Sequence, residues 1–277
     1  LPLAILLFIV VPRLPTLWKM PTQKQATTGL SDSITLGDIA SLSRSSELAF
    51  RATFNGPAAP ESERYWRAMT LDHFDGKTWS QPVQLWQKPG MMIRHPPVLL
   101  KSGSYLLPAY DEQARQSIML ISDPPYSKWQ AGYSFEVPDI IQSTLVKEDS
   151  GRLTLFFRPS TDPRKISISH STDQGTTWSH PKMTPLPNPL SGISAFSSNN
   201  NLVVVYNHTE EHQRWPLSAS CSLDGGKKWE NVQHLDEIAL EISYPSFIVG
   251  NNNRVHGVYT YNRRKIKYVM YDKDSFN

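Results

Sequence analysis

The chain has 277 residues and a formal charge of +3, from 28 Lys and Arg against 25 Asp and Glu, a length that fits one large all-β domain or two ordinary ones. So small an imbalance excludes the basic field of a nucleic-acid-binding domain, and no nucleic-acid partner is expected. The single cysteine, Cys221, excludes an intramolecular disulfide framework and a cysteine-based structural zinc site, while 22 Pro, 14 Gly, 8 Trp and 11 Tyr favour short strands and frequent turns over long helices.

Residues 1–12 are almost wholly apolar. As a helix they would reach about 18 Å, short of a hydrocarbon core of about 30 Å, so they read as the tail of a membrane helix. A signal-type segment or a buried element are the other readings. From residue 13 to residue 79 the chain is polar and proline-punctuated, with strand-like pieces at 48–54 and 65–69. The strings Pro12-Arg13-Leu14-Pro15, Thr28-Gly29-Leu30-Ser31-Asp32, Gly37-Asp38-Ile39, Phe54-Asn55-Gly56-Pro57, Tyr65-Trp66-Arg67 and Phe74-Asp75-Gly76-Lys77-Thr78-Trp79 resemble the membrane-proximal region of bacterial membrane-anchored transglutaminase-like proteins. That resemblance implies membrane attachment facing the bacterial periplasm. It does not bring that family's Cys-His-Asp chemistry, because nothing after Trp79 resembles its catalytic domain.

Two octapeptides further along, Ser171-Thr172-Asp173-Gln174-Gly175-Thr176-Thr177-Trp178 and Ser222-Leu223-Asp224-Gly225-Gly226-Lys227-Lys228-Trp229, share the pattern S-x-D-x-G-x-x-W. Weaker copies end at Trp79 and, in Ser122-Asp123-Pro124-Pro125-Tyr126-Ser127-Lys128-Trp129, at Trp129. The four tryptophans recur at intervals of about 50 residues, the period of a propeller blade. The octapeptides resemble the Asp box of bacterial neuraminidase repeats, and residues 80–277 are similar to sialidase-like Asp-box hydrolases. The resemblance implies an all-β fold, a β-propeller of the sialidase type. About four blades are present where such a propeller has six, preceded by the membrane-helix remnant (1–12) and the small β-rich segment (13–79). The changeover at 75–82, where both families carry an Asp-Gly-x-x-Trp string, reads as a fusion or a chimera. An open propeller leaves strand edges and a blade face uncovered.

In the boxes, Ser171, Asp173, Gly175 and Trp178, and again Ser222, Asp224, Gly226 and Trp229, are expected to hold hairpin turns rather than to catalyse. Sialidases bind a substrate carboxylate with arginines and attack with a tyrosine activated by a glutamate. Carried over by position, Tyr244 matches the nucleophile and Arg158 a carboxylate-binding arginine, with Arg263 a further candidate. Glu112, Asn188 and Asn207 lie in stretches that share the resemblance and are candidate substrate contacts. Where the activating glutamate would stand, this chain has Gln142, which cannot take a proton from a phenol. The expected partner is therefore a glycan or a sialic-acid-like ligand, bound or hydrolysed, with no metal or other cofactor. The rival readings are a non-catalytic glycan- or protein-binding propeller and a membrane-anchored fragment of a transglutaminase-like protein. Oligomeric state is not legible.

Overall fold

A computed structural model describes residues 88–276. The chain divides into two compact units, Leu1–Gln84 and Leu85–Asn277, and all the described residues belong to the second. The expected membrane-helix remnant at 1–12, the segment at 13–79 and the weak box copy ending at Trp79 lie outside the described residues. Within those residues no helix is long and apolar enough to cross a membrane.

The described chain is all-β, in a four-blade propeller arrangement. The first sheet contains β1 (Met91–Ile93), β2 (Val98–Leu99), β3 (Tyr105–Asp111), β4 (Gln116–Ser122) and β5 (Gln130–Ser134). The second holds β6 (Ile140–Lys147), β7 (Leu153–Pro159), β8 (Lys165–Ser171) and β9 (Lys182–Pro187), and the third β10 (Ser194–Ser198), β11 (Asn201–Asn207), β12 (Leu217–Ser222) and β13 (Glu230–Asp236). The last has three strands, β14 (Ile242–Val249), β15 (Arg254–Tyr261) and β16 (Lys265–Asp272), followed by a 3-10 turn at Lys273–Phe276. Every pairing is antiparallel between neighbours in the chain, apart from β1, which reaches past β2 to β3. Such order follows from short turn-rich connections, which let each strand pair only with the one just laid down.

The inner strands are buried on both faces. In β7, Leu153 to Phe157 are buried without a break, because alternate side chains enter two different apolar layers. Leu155 and Phe157 pack with Leu106, Met119, Phe135 and Leu145 against the first sheet, while Phe156 packs with Ile166, Val204 and Tyr206 against the third. A third layer, with Val203, Val205, Phe247 and Tyr259, joins the third sheet to the last. The outermost strands are the wet ones: β13 exposes Glu230 through His234. Strand β12 is buried throughout although it reads Leu-Ser-Ala-Ser-Cys-Ser. Its serines are satisfied, Ser220 by the Tyr206 hydroxyl at 2.9 Å and Ser218 by His234 Nδ1 at 2.9 Å. Cys221 is a buried free thiol there, pushed above the usual thiol range mainly by burial.

The two full Asp boxes have the construction their pattern implies. Ser171 Oγ accepts from the Gly175 amide at 2.9 Å and donates to Asp173 Oδ1 at 2.7 Å, and Asp173 accepts from the Thr177 amide and hydroxyl. In the second box Ser222 Oγ accepts from the Gly226 amide at 2.7 Å, and Asp224 accepts from the amides of Lys227 and Lys228. Gly175 and Gly226 have φ of +85° and +93°, and a Cβ at either would lie 2.6 Å from Leu106 or 2.4 Å from Ile168 on the preceding sheet. Only glycine fits both the left-handed turn and that approach. Each indole then wedges toward the preceding sheet: Trp178 meets Phe135 edge-on at 5.8 Å, and Trp229 meets Phe156 at 5.7 Å. In the decayed copy, Trp129 packs on Met91, Leu107, Ala109 and Leu120, the layer on the other side of the first sheet.

The Thr177 hydroxyl and amide push the Asp173 pKa down to about 2, below the ordinary aspartate value. A carboxylate whose folded pKa lies below its unfolded value stabilises the fold above the unfolded pKa and ceases to do so as pH falls through the folded one. Wild-type protein is thus expected to lose this contribution between about pH 4 and pH 2. Asp173→Asn should remove that component of the slope in thermal melts across this range. Parallel pH profiles for the two proteins would contradict the assignment.

Candidate functional site: arginines around Tyr244

The boxes and the site lie at opposite ends of the sheets. Ser171, where the first box begins, pairs with Leu153 at the start of β7, whereas Arg158 pairs with Ile141 at the start of β6. A strand of seven or eight residues, roughly 25 Å, separates the two ends. Asp173 and Asp224 therefore stand far from Tyr244, in keeping with a structural part.

Two β-bulges aim the side chains of the site. The β6–β7 register slips between Ile141 and Thr144, and the β14–β15 register between Ser243 and Ser246. Gln142 and Tyr244 occupy those slips with φ of +49° and +54°, uncommon values for residues with side chains, and bulges of this kind re-aim a side chain beside functional sites. Arg94, following β1, reaches across to the last sheet, donating from Nη2 to the Pro245 carbonyl at 2.8 Å and to the Ile193 carbonyl at 3.4 Å. Its guanidinium lies 5.4 Å from the Tyr244 ring centroid, and that of Arg214, from the β11–β12 connection, lies 5.3 Å from it. Both distances suit a cation–π contact. Gly192 makes the approach feasible, since a Cβ there would come within 2.8 Å of Arg94 Nη2 and 2.9 Å of the Tyr244 ring.

The electrostatics are those of a cationic pocket short of anions. Arg94 is lowered to about 10, by burial first, with Tyr244 opposing and Arg158 adding to the lowering. Arg158 is lowered by burial first, then by Arg214, with Tyr244 again opposing. Arg158 thus feels Arg94 on one side and Arg214 on the other, around one phenol. Glu241 answers only part of this charge, pairing with Arg214 at 3.2 Å and with Arg263 at 2.5 Å. Tyr110, pushed up mainly by burial, accepts from Gln142 Nε2 at 3.2 Å and senses Glu112, Arg158 and Arg94. Burial also holds His95, beside Arg94, down to about 3 and hence neutral.

The structure brings Tyr244, Arg158, Gln142 and, at the rim, Glu112 and Arg263 to this end. Arg263 is 71% exposed and tied to Glu241; with Glu241 and Tyr244 it lines an open depression of about 420 Å³. Asn188 and Asn207 are fully buried and committed to the protein. Asn188 brackets Ser191 through its carbonyl and amide, and Asn207 donates to the Ile242 carbonyl at 2.7 Å while accepting from Ser191 at 2.7 Å. They brace the loop that carries Gly192 through side-chain contacts made within the protein. Sequence reasoning missed Arg94 and Arg214. A search one blade, or about 50 residues, beyond Arg158 would have led to the neighbourhood of Arg214. Among the described residues, no group of three or more His, Cys, Asp and Glu side chains converges as a metal site would require.

The BNR repeat-like domain family matches residues 53–257, well over half of the chain. The chain belongs to that family. The match begins ahead of the changeover expected at 75–82. A protein-glutamine gamma-glutamyltransferase of Pseudomonas aeruginosa is 34% identical over 199 residues, covering 68% of this chain and 27% of that protein. The similarity to this transglutaminase-named protein thus runs well beyond the first 79 residues, and the chain spans little more than a quarter of that relative's length. Among solved structures, the NanB sialidase of Streptococcus pneumoniae superposes with a TM-score of 0.60 at 17% identity, covering 72% of this chain and 34% of that one. An intramolecular trans-sialidase of Ruminococcus gnavus gives 0.59 at 16%, with 73% and 49% covered. The leech intramolecular trans-sialidase gives 0.60 at 14%, with 73% and 35% covered. At such identities the likeness is one of fold, a sialidase-type propeller, and this chain spans less than half the length of each of those three chains.

Proposed function

We propose that the arginine end of the propeller binds a carboxylate-bearing glycan of the sialic-acid type and holds it without the retaining hydrolysis of sialidases. The observation that supports this is the convergence of Arg94, Arg158 and Arg214 on the phenol of Tyr244. Guanidinium forks match a carboxylate in shape and charge, and an anion among them would relieve their mutual repulsion. Similar folds are recorded with such ligands, the leech enzyme with 2,7-anhydro-Neu5Ac and the Ruminococcus enzyme with oseltamivir carboxylate.

Turnover by the retaining route needs a base on the tyrosine. Among the described residues no carboxylate hydrogen-bonds to Tyr244. The side chain at the activating position, Gln142, is an amide paired with Tyr110. Glu241, which burial alone would raise, is held by two arginines and kept below the usual carboxylate range by Arg263 and Arg214. Calorimetric titration of the full chain with N-acetylneuraminate is expected to show saturable binding, and a fluorogenic sialoside is expected to release no fluorophore. Sialoside turnover, or no heat at millimolar ligand, would defeat the reading.

A further inference from the structure

We propose that Gln142 makes this site selective for hydroxylated acids, its side-chain oxygen accepting a hydroxyl hydrogen of the ligand next to the carboxylate that the arginines hold. Such selectivity rests on the carboxylate-binding reading above and adds to it the residue that sets ligand class. Six buried side-chain polar atoms lack a partner among the described residues, and five belong to Arg94, His95, Gln142, Ser143 and Arg158; the sixth is the Trp229 indole nitrogen. A buried polar group without a partner loses its hydration and gains no bond in return, so folded proteins keep few, and those they keep call for an explanation. Five of them fall on residues 94–95, 142–143 and 158, around the arginine cluster, where a polar ligand would supply the missing partners.

The chemistry of the atoms specifies that ligand. Arg94 Nε and Arg158 Nε can only donate, so they call for anionic oxygens. Gln142 Oε1 can only accept. Its amide nitrogen is anchored on the Tyr110 hydroxyl at 3.2 Å, which turns the oxygen away from Tyr110 and leaves it as the unpaired atom. The positive φ of Gln142 at the bulge is the local conformation that carries this side chain there. Ser143 is 2% exposed, and its unpaired hydroxyl can add either a donor or an acceptor. A simple carboxylate satisfies the arginines and leaves Gln142 Oε1 unpaired; a sugar acid with a hydroxyl beside its carboxylate satisfies both.

The test compares two ring-sized acids on the full chain by calorimetry, N-acetylneuraminate and cyclohexanecarboxylate. Wild-type protein is expected to prefer the sugar acid. Gln142→Met, which keeps the side-chain length and removes the acceptor, is expected to narrow the preference about tenfold, the worth of roughly one hydrogen bond, while the cyclohexanecarboxylate affinity stays within about twofold. Tyr110→Phe, which releases the amide from its anchor, should narrow the preference in part, and it supplies the test if the methionine variant does not fold. A preference that neither variant moves overturns the role of Gln142 and leaves the arginine site standing. Failure of both acids to bind wild-type protein overturns this inference and the carboxylate reading together.

Discussion

Trp178→Ala is expected to lower the unfolding free energy by about 3–5 kcal/mol, the range for truncating a large buried aromatic, and the midpoint of thermal unfolding by on the order of 10 °C for a unit of this size. The indole is 8% exposed, donates from Nε1 to the Gly175 carbonyl at 3.0 Å and meets Phe135 edge-on. Removing it opens the layer between the first and second sheets and frees the box turn at the same time. Trp229 provides the internal control. It packs on Phe156, but only partly buried, and its indole nitrogen has no acceptor, so Trp229→Ala should cost clearly less. Differential scanning calorimetry on both variants checks the ranking; a Trp178→Ala loss under about 1 kcal/mol would mean that the box does not pin the blade.

Replacing Arg158 by methionine is expected to weaken N-acetylneuraminate binding about 10- to 100-fold with little change in melting temperature. The figure corresponds to losing a charge-assisted, bidentate contact of about 1.5–3 kcal/mol. Arg158 is the discriminating choice because its Nε has no partner among the described residues. Arg94, in contrast, also ties the first sheet to the last through the Pro245 and Ile193 carbonyls, so Arg94→Met should lose stability as well as affinity. Calorimetric titration paired with melting curves separates the two effects. Unchanged affinity in Arg158→Met would place the anion elsewhere.

How much of the fold and the site was legible in the sequence depends on whether the responsible contacts are local. The box turns were, because Ser, Asp, Gly and Trp act within eight consecutive residues and the same string recurs one blade later. The both-sides burial of β11 goes with its unbroken apolar run from Leu202 to Tyr206, and that of β7 with a run interrupted only by Thr154. Arg158 and Tyr244 were singled out only through the resemblance to sialidases, carried over by position. The convergence of Arg94, Arg158 and Arg214 was not legible, since each comes from a different sheet and Arg94 reaches Pro245 across 151 positions of sequence. Arg214 sits in the irregular β11–β12 connection, where the blade period leads only to its neighbourhood. Asn188 and Asn207 show the opposite case. Polar residues at this end look like ligand contacts in the sequence, whereas their full burial and their amide contacts within the protein become visible only in the fold.

A crystal structure of the full chain soaked in N-acetylneuraminate tests the central claim most directly. The ligand carboxylate is expected on the guanidinium groups of Arg94, Arg158 and Arg214, above the ring of Tyr244 and with no bond to its oxygen. Density for the sugar at the Asp-box end, or a covalent link to Tyr244, would contradict the account.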